Sequence, residues 1–233
     1  MAQRPLFIPH LDGPLLVQTV GVTFDWFPGL SLSQKQRSID SLHVAAGHLP
    51  GIHQILEISS KSRQELGIAL SAFNLTLTNP TSSRHSSVEC AFQGSKVFEL
   101  GGPYTDMYAM SSREAKRDER LQTSGRLICF RHLGIDWPLE PRTAFYDWLY
   151  ITALKQHPTL IERLVDFSAF TDIEFNPEKS INCQAYAAAL FVSLYKRGVL
   201  ETITSEKDTF LRFLMDRPVS NAQHDDTRQA SLL

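Results

Sequence analysis

The longest apolar run of the chain, "AYAAALFVSLY" from Ala185 to Tyr195, sets the first limit on its architecture. It is far too short to cross a bilayer. Its apolar residues recur at three- and four-residue intervals and Gly198 follows as a stop, so it predicts a helix within "INCQAYAAALFVSLYKRG". The same periodicity marks "EPRTAFYDWLYITALKQH" and "PTLIERLVDFSAF", and "SEKDTFLRFLMDR" also reads as helical. Upstream, Ser33 can cap a helix through "QKQRSIDSLHVAAG" that Gly47 ends, and Ser112 and Gly125 bracket another in "SREAKRDERLQTSG". Strand-like patterns are fewer. They are "VGVTFDWFPG", "QILEISS" with Glu57, Ser59 and Lys61 on one face, and "LGIALSAFNLTLTN" closed by Asn79-Pro80. The expected fold is mainly α with a few short strands (α+β), as one domain over residues 1–217. A loose polar tail is expected over 218–233.

At 233 residues, with 42% hydrophobic and 21% charged, the chain suits one globular unit. Prolines break "MAQRPLFIPHLDGP" too early for a secretion signal. The three cysteines, Cys90, Cys129 and Cys183, form no CxxC pair, which argues against a disulfide framework or zinc site. The histidines are scattered and no metal set or cofactor is expected. A reducing cytoplasm is the simplest setting, with no membrane partner. A net charge of −2 is low for a protein that lives by non-specific phosphate attraction. Any nucleic acid it touches must carry something particular to recognise.

One segment sets polar chemistry inside an apolar stretch. "SSVECAFQGSKVFELGG" (Ser86–Gly102) carries Glu89, Gln93 and Lys96 at spacings of four and three. On a helix these share one face. They are either the polar stripe of a surface helix or groups converging on a cleft, and spacing alone leaves both open. In a core, unpaired charges would be strongly unfavourable. Downstream, Gly101 and Gly102 in "GGPY" either form a plain turn or bring backbone amides close to phosphate. Asn182 either caps the helix it precedes or faces a ligand. In "SREAKRDER", Arg113, Lys116, Arg117 and Arg120 fall on one stripe of a continuous helix. That stripe is a solvated face or a short rail for a DNA backbone.

"SVECAFQGSKVF" resembles the E-x-x-F-Q-x-x-K segment of the NADAR family. "LSAFN" (Leu70–Asn74) is similar to the family's L-S-N-F, and "EAK" (Glu114–Lys116) to a small helix later in its pattern. Trp137 falls where the family has a lone tryptophan, "DIEF" matches its V-E step at Glu174, and "KSINCQA" its final motif at Asn182. The order holds from about residue 57 to residue 200. Ala72 stands where the family usually has Asn, and the W-G pair before the final motif is missing. "FDWFPGLSLSQKQRSI", "LEISSKS", "FQGSKVFELGGPY" and "FTDIEFNPEKSINCQA" together resemble the branch of antitoxins encoded beside DarT toxins.

That resemblance implies a single NADAR-like catalytic domain that removes ADP-ribose from the amino group of guanine in DNA. ADP-ribose would be the product, and the cognate toxin a further candidate partner. It implies Glu89, Lys96 and Glu174 as catalytic residues. As substrate contacts it implies Lys61, Ser71, Phe73, Asn74, Phe92, Gln93, Gly101, Gly102, Tyr104, Trp137 and Asn182. A carboxyl group suits proton transfer at an N-glycosidic bond. An amine can capture the opened sugar as a Schiff base, or pair with the pyrophosphate. Asp172 and Glu174 can equally cap a turn, and Trp137 can equally be core. Two other functions stay open: an N-glycosidase of phosphoribosyl-aminopyrimidines, and an antitoxin that binds its toxin without chemistry.

Overall fold

The computed structural model describes residues 1–78, 85–178 and 180–218. The turn expected at Asn79-Pro80 and, apart from Pro218, the expected tail lie outside them. The chain opens with strands β1 (Ala2–Pro9) and β2 (Val17–Phe24), then helix α1 (Leu32–Ala46) and strand β3 (Ile55–Glu57). Helix α2 (Glu65–Ala69) leads to a small hairpin, β4 (Thr76–Thr78) and β5 (His85–Ser87), which runs into α3 (Val88–Gly94). Strand β6 (Lys96–Phe98), a 3-10 turn (Thr105–Ala109), α4 (Ser112–Arg117) and α5 (Arg120–Thr123) come next. A hairpin of β7 (Leu127–His132) and β8 (Ile135–Trp137) precedes α6 (Ala144–Lys155) and α7 (Pro158–Leu164). The described chain closes with β9 (Ala169–Thr171), α8 (Gln184–Lys196), α9 (Leu200–Thr204) and α10 (Lys207–Met215).

The main sheet has the order β2-β1-β9-β3, with β3 and β9 parallel and the other pairs antiparallel. Period-two alternation gives it two apolar faces. Phe7, Leu56 and Phe170 face a core built around α6 and α8, while Leu6, Ile55 and Ala169 face α1. At the centre α8 is buried at every position from Ala185 to Leu194, as an all-round apolar helix must be. Its alanines let β1, β9 and α6 approach closely. The core around it runs from Phe7 to Leu214, so the first strand and the last described helix share one interior.

The observed class is mixed α+β rather than mainly α, because several strands lack a clear sequence signal. Two of the prolines that break the N-terminal pattern, Pro5 and Pro9, sit inside β1. They are tolerated because β9 meets β1 only at Phe7, leaving an edge-like strand elsewhere. The β7–β8 hairpin turns through Leu133 and Gly134 with φ of 49° and 80°. Two left-handed residues suit a tight hairpin, but leucine disguises the signal. "LGIALSAFNLTLTN" is not one strand. Gly67 lies against the Glu57 carbonyl and Ser62, where no side chain fits, so the segment forms α2 and a turn before β4. Likewise "SREAKRDERLQTSG" is two short helices, broken at Asp118, whose ψ of 125° leaves the helix and whose carboxylate accepts from Arg120 N at 2.9 Å.

Replacing Ala188, which is fully buried, with leucine should overpack the α8 interior. The expected loss is about 1–3 kcal/mol, read as a lower midpoint in thermal or urea unfolding.

Candidate functional site

Strands β3 and β9 run parallel, so their C-terminal ends lie side by side and carry Glu57 and then Ser59, and Thr171 and then Asp172. The amide of Gln184, at the start of α8, ties these two ends together. Its Nε2 donates to Ile58 O at 2.7 Å and to Asp172 Oδ2 at 2.9 Å. Its Oε1 accepts from Ala72 N at 2.6 Å. Ala72 O in turn accepts the backbone N–H of Glu89 at 2.9 Å. One side chain thus joins the sheet to the helix that carries Glu89.

Helix α3 starts at Ser87, whose hydroxyl accepts from Cys90 N at 3.1 Å, and all seven of its residues are buried. Glu89 is 6% and Gln93 7% exposed, so they are not the stripe of a surface helix. Gln93 Nε2 donates to Glu89 Oε1 at 2.9 Å, and Lys116 Nζ lies 4.0 Å from the same oxygen. Lys96 joins them by another route than the expected one. The helix ends at Gly94, and Lys96 opens β6. Its Nζ nevertheless sits 4.9 Å from the centre of the Phe92 ring, as Lys116 Nζ sits 5.2 Å from that of Phe73. Burial, opposed by Glu89 and helped by Lys116, brings the Lys96 amine down to about 8. Two buried oxygens nearby, Gln93 Oε1 and Ser71 Oγ, have no hydrogen-bond partner among the described residues. Such orphans are rare in a native fold and fit groups held for a ligand.

Beside this cluster lies a cavity of about 330 Å³, walled by Phe130, Phe145 and Tyr146 and edged by Arg142, Thr143 and Asn182. Phe92 connects the two, with its ring centre 5.3 Å from Phe130 and 5.2 Å from Tyr146. Asn182 therefore lines a cavity instead of capping α8, whose N-cap is Cys183. Burial first, and then Glu89 and Asp172 among its neighbours, hold the Tyr146 phenol well above its usual range. This tyrosine sits within the field of both acidic groups. Sequence periodicity places it merely on an apolar helix.

Other expected residues fall elsewhere. Trp137 is 2% exposed and packs on Trp148 and Phe145 at 4.8 and 5.5 Å. It backs the cavity wall, and that packing leaves no open face on which a base could stack. Glu174 is exposed and pairs with Lys35 at 2.9 Å, while the buried acids beside it are Asp172 and Glu57. Burial raises both, and the nearby Glu57 raises Asp172 further. Glu57 accepts from Ser59 and Thr171 hydroxyls at 2.7 Å and from Ile173 N at 2.8 Å. Asn74 is exposed and donates to Ile68 O at 2.8 Å, and Lys61 is half-buried just past the end of β3. Gly102 has φ 90° and no room for a side chain against Lys96 O, so it closes the "GGPY" loop onto the strand that carries Lys96. Tyr104 is held by Ser124 and covered by Arg120 at 4.5 Å.

The basic stripe does not survive as drawn. The break at Asp118 ends the helix, Lys116 turns to Glu89, and Arg120 is fastened to Asp106 and Asp118 at 2.7 Å each. Arg113 and Arg117 remain exposed. No helix among the described residues is long and apolar enough to cross a membrane.

The profile of the family described as DarT1-associated NADAR antitoxin matches residues 2–224. The chain belongs to this family. No curated protein matches it. The family match spans every element described, including the β1–β2 hairpin that lies outside the motifs carrying the sequence resemblance. That resemblance points to the same branch.

Removing the Lys116 charge with Lys116→Met should raise the Lys96 amine above about 8, because a like charge is lost. Glu89→Gln should move it the other way. The pH dependence of acylation at Lys96, followed by mass spectrometry, reads both shifts. An unmoved profile in both variants would remove the coupling.

Proposed function

We propose that the protein hydrolyses the bond between the ribose anomeric carbon of ADP-ribose and the exocyclic amino group of guanine in DNA. It would thereby reverse the mark of a DarT-type toxin. The observation that carries this reading is the buried Glu89 carboxylate beside the Lys96 amine, whose lowered value leaves a useful neutral fraction near neutral pH. The family's association with such a toxin supports the choice of substrate.

Each step conserves its protons and bonding pairs. Glu89, as the acid, protonates the ribose ring oxygen while the guanine amino nitrogen pushes its lone pair to the anomeric carbon, opening the sugar. The neutral Lys96 amine adds to that carbon. Proton transfer through Glu89 to the guanine nitrogen then lets guanine leave with its bonding pair. A lysine Schiff base of ADP-ribose remains, and one water hydrolyses it to ADP-ribose and free amine. Lys116, 4.0 Å from Glu89 and at the protein surface, is suited to hold the pyrophosphate charge. Exposed Arg113 and Arg117 are suited to flanking DNA phosphates.

Glu89→Gln should keep the fold and lower release of ADP-ribose from marked DNA by roughly a hundredfold or more. Turnover at the wild-type rate in that variant would remove Glu89 from the acid role. If the same variant still protects cells by complexing the toxin, the protein acts as a binding antitoxin instead.

Borohydride should trap wild type on its substrate, with the adduct mapping to Lys96 and absent in Lys96→Ala. The single-turnover rate should climb as pH rises through about 8, because the neutral amine is the nucleophile. A rate that falls over that range, with no adduct, would assign Lys96 an electrostatic role.

A further inference from the structure

The cavity one ring, Phe92, removed from Lys96 is larger than the attack on one sugar carbon requires, and its walls and rim differ in kind. Phe130 and Phe145 stack on each other, with centres 4.7 Å apart and 25° between planes, and with Tyr146 they give the slot an apolar wall. The rim is polar. Arg142 is exposed and loosely held by Glu140 at 3.3 Å, and Asn182 lines the same rim. Thr143 at the same rim has φ 68°, a genuine outlier for a β-branched residue. Strain of this kind persists where the surrounding structure enforces it, and it clusters at ligand clamps.

Distance decides which flat group is meant. Lys96 Nζ lies 4.9 Å from the Phe92 ring, and Phe92 is the next ring to the cavity wall at 5.3 Å. Of the groups on the substrate, the one bonded directly to the anomeric carbon is the nearest flat group to this slot, one ring removed from the amine. The adenine of ADP-ribose lies at the far end of a pyrophosphate and a second ribose. We infer that this cavity is the nucleobase pocket for an extruded guanine, with the Arg142 guanidinium reading its O6 and N7. This rests on the hydrolase reading for the identity of the bonded group. A guanidinium fork matches the two acceptors of guanine, whereas adenine offers a donor in place of one of them. The amino group that carries ADP-ribose lies across the ring from N7, so a base held there turns it away from Arg142. A duplex base must leave its stack to enter such a slot.

Calorimetric titration with dGMP, dAMP and ADP-ribose tests the pocket without requiring turnover. Wild type should prefer dGMP to dAMP by about tenfold or more, as one bidentate contact allows. Arg142→Ala should abolish that preference and leave ADP-ribose binding unchanged. Asn182→Leu should weaken dGMP at the same rim. Equal affinity for the two nucleotides in wild type, absence of dGMP binding at millimolar concentration, or an unchanged preference in Arg142→Ala would each overturn the pocket. A guanine preference lost in Arg142→Ala, in a protein that releases no ADP-ribose from marked DNA, keeps the pocket and removes the hydrolase. Release of ADP-ribose with an unchanged preference in Arg142→Ala removes the pocket alone.

Discussion

The Gln184 amide is the joint on which the site depends. It commits both ends of one side chain to three segments: the end of β3, the end of β9, and the Ser71–Asn74 turn. That turn supplies the carbonyl that receives the Glu89 backbone amide. A parallel strand pair, a helix start and a buried helix are therefore held in register through one neutral amide. Hydrogen bonds of this sort stabilise modestly when made and cost more when one partner is stranded. Glu89 is placed by backbone geometry, and its own side chain is left to meet Gln93 and Lys116.

The charged cluster is assembled against the grain of folding. Taking an ammonium and a carboxylate out of water is unfavourable, and their attraction offsets only part of that loss. Lys96 shows it directly, since burial outweighs the pull of Glu89 and lowers its amine. The scaffold that tolerates this is the fully apolar interior around α8, with α6 and the main sheet packed on it. The Glu57 carboxyl is treated differently. Three donors surround it, and Thr171, one of them, also touches His43 at 2.9 Å. Burial holds that imidazole at about 4, so it stays neutral and adds no cation to the strand ends.

Much of this was legible in the sequence, for physical reasons that differ by residue. The helices α6, α8 and α10 lie where their patterns put them, because one face or all faces meet a core; α1 does too, except that Ser31 rather than Ser33 caps it. The triad of Glu89, Gln93 and Lys96 was legible as a polar intrusion into an apolar segment. Its geometry was not, since Lys96 returns to the cluster from a strand after the helix has ended. Gln184 and Tyr146 stand out only in the fold, because each matters through partners distant in sequence. Trp137 works in the opposite sense: its place in the motif order draws attention, but its ring packs in the core against Trp148. The strand content was under-read where prolines and a leucine turn mimic breaks.

Glu57 and Asp172 have a consequence for the charge this protein carries. Burial raises both, and Glu57 raises Asp172 further, so the pair keeps a proton at a pH where surface carboxylates have lost theirs. Asp147, pushed by burial to about 7, is itself only part-ionised near neutrality. The formal charge of −2 counts every one of these groups as fully negative. The acidic composition of the strand ends and of α6 therefore overstates the negative charge held in this interior near neutral pH.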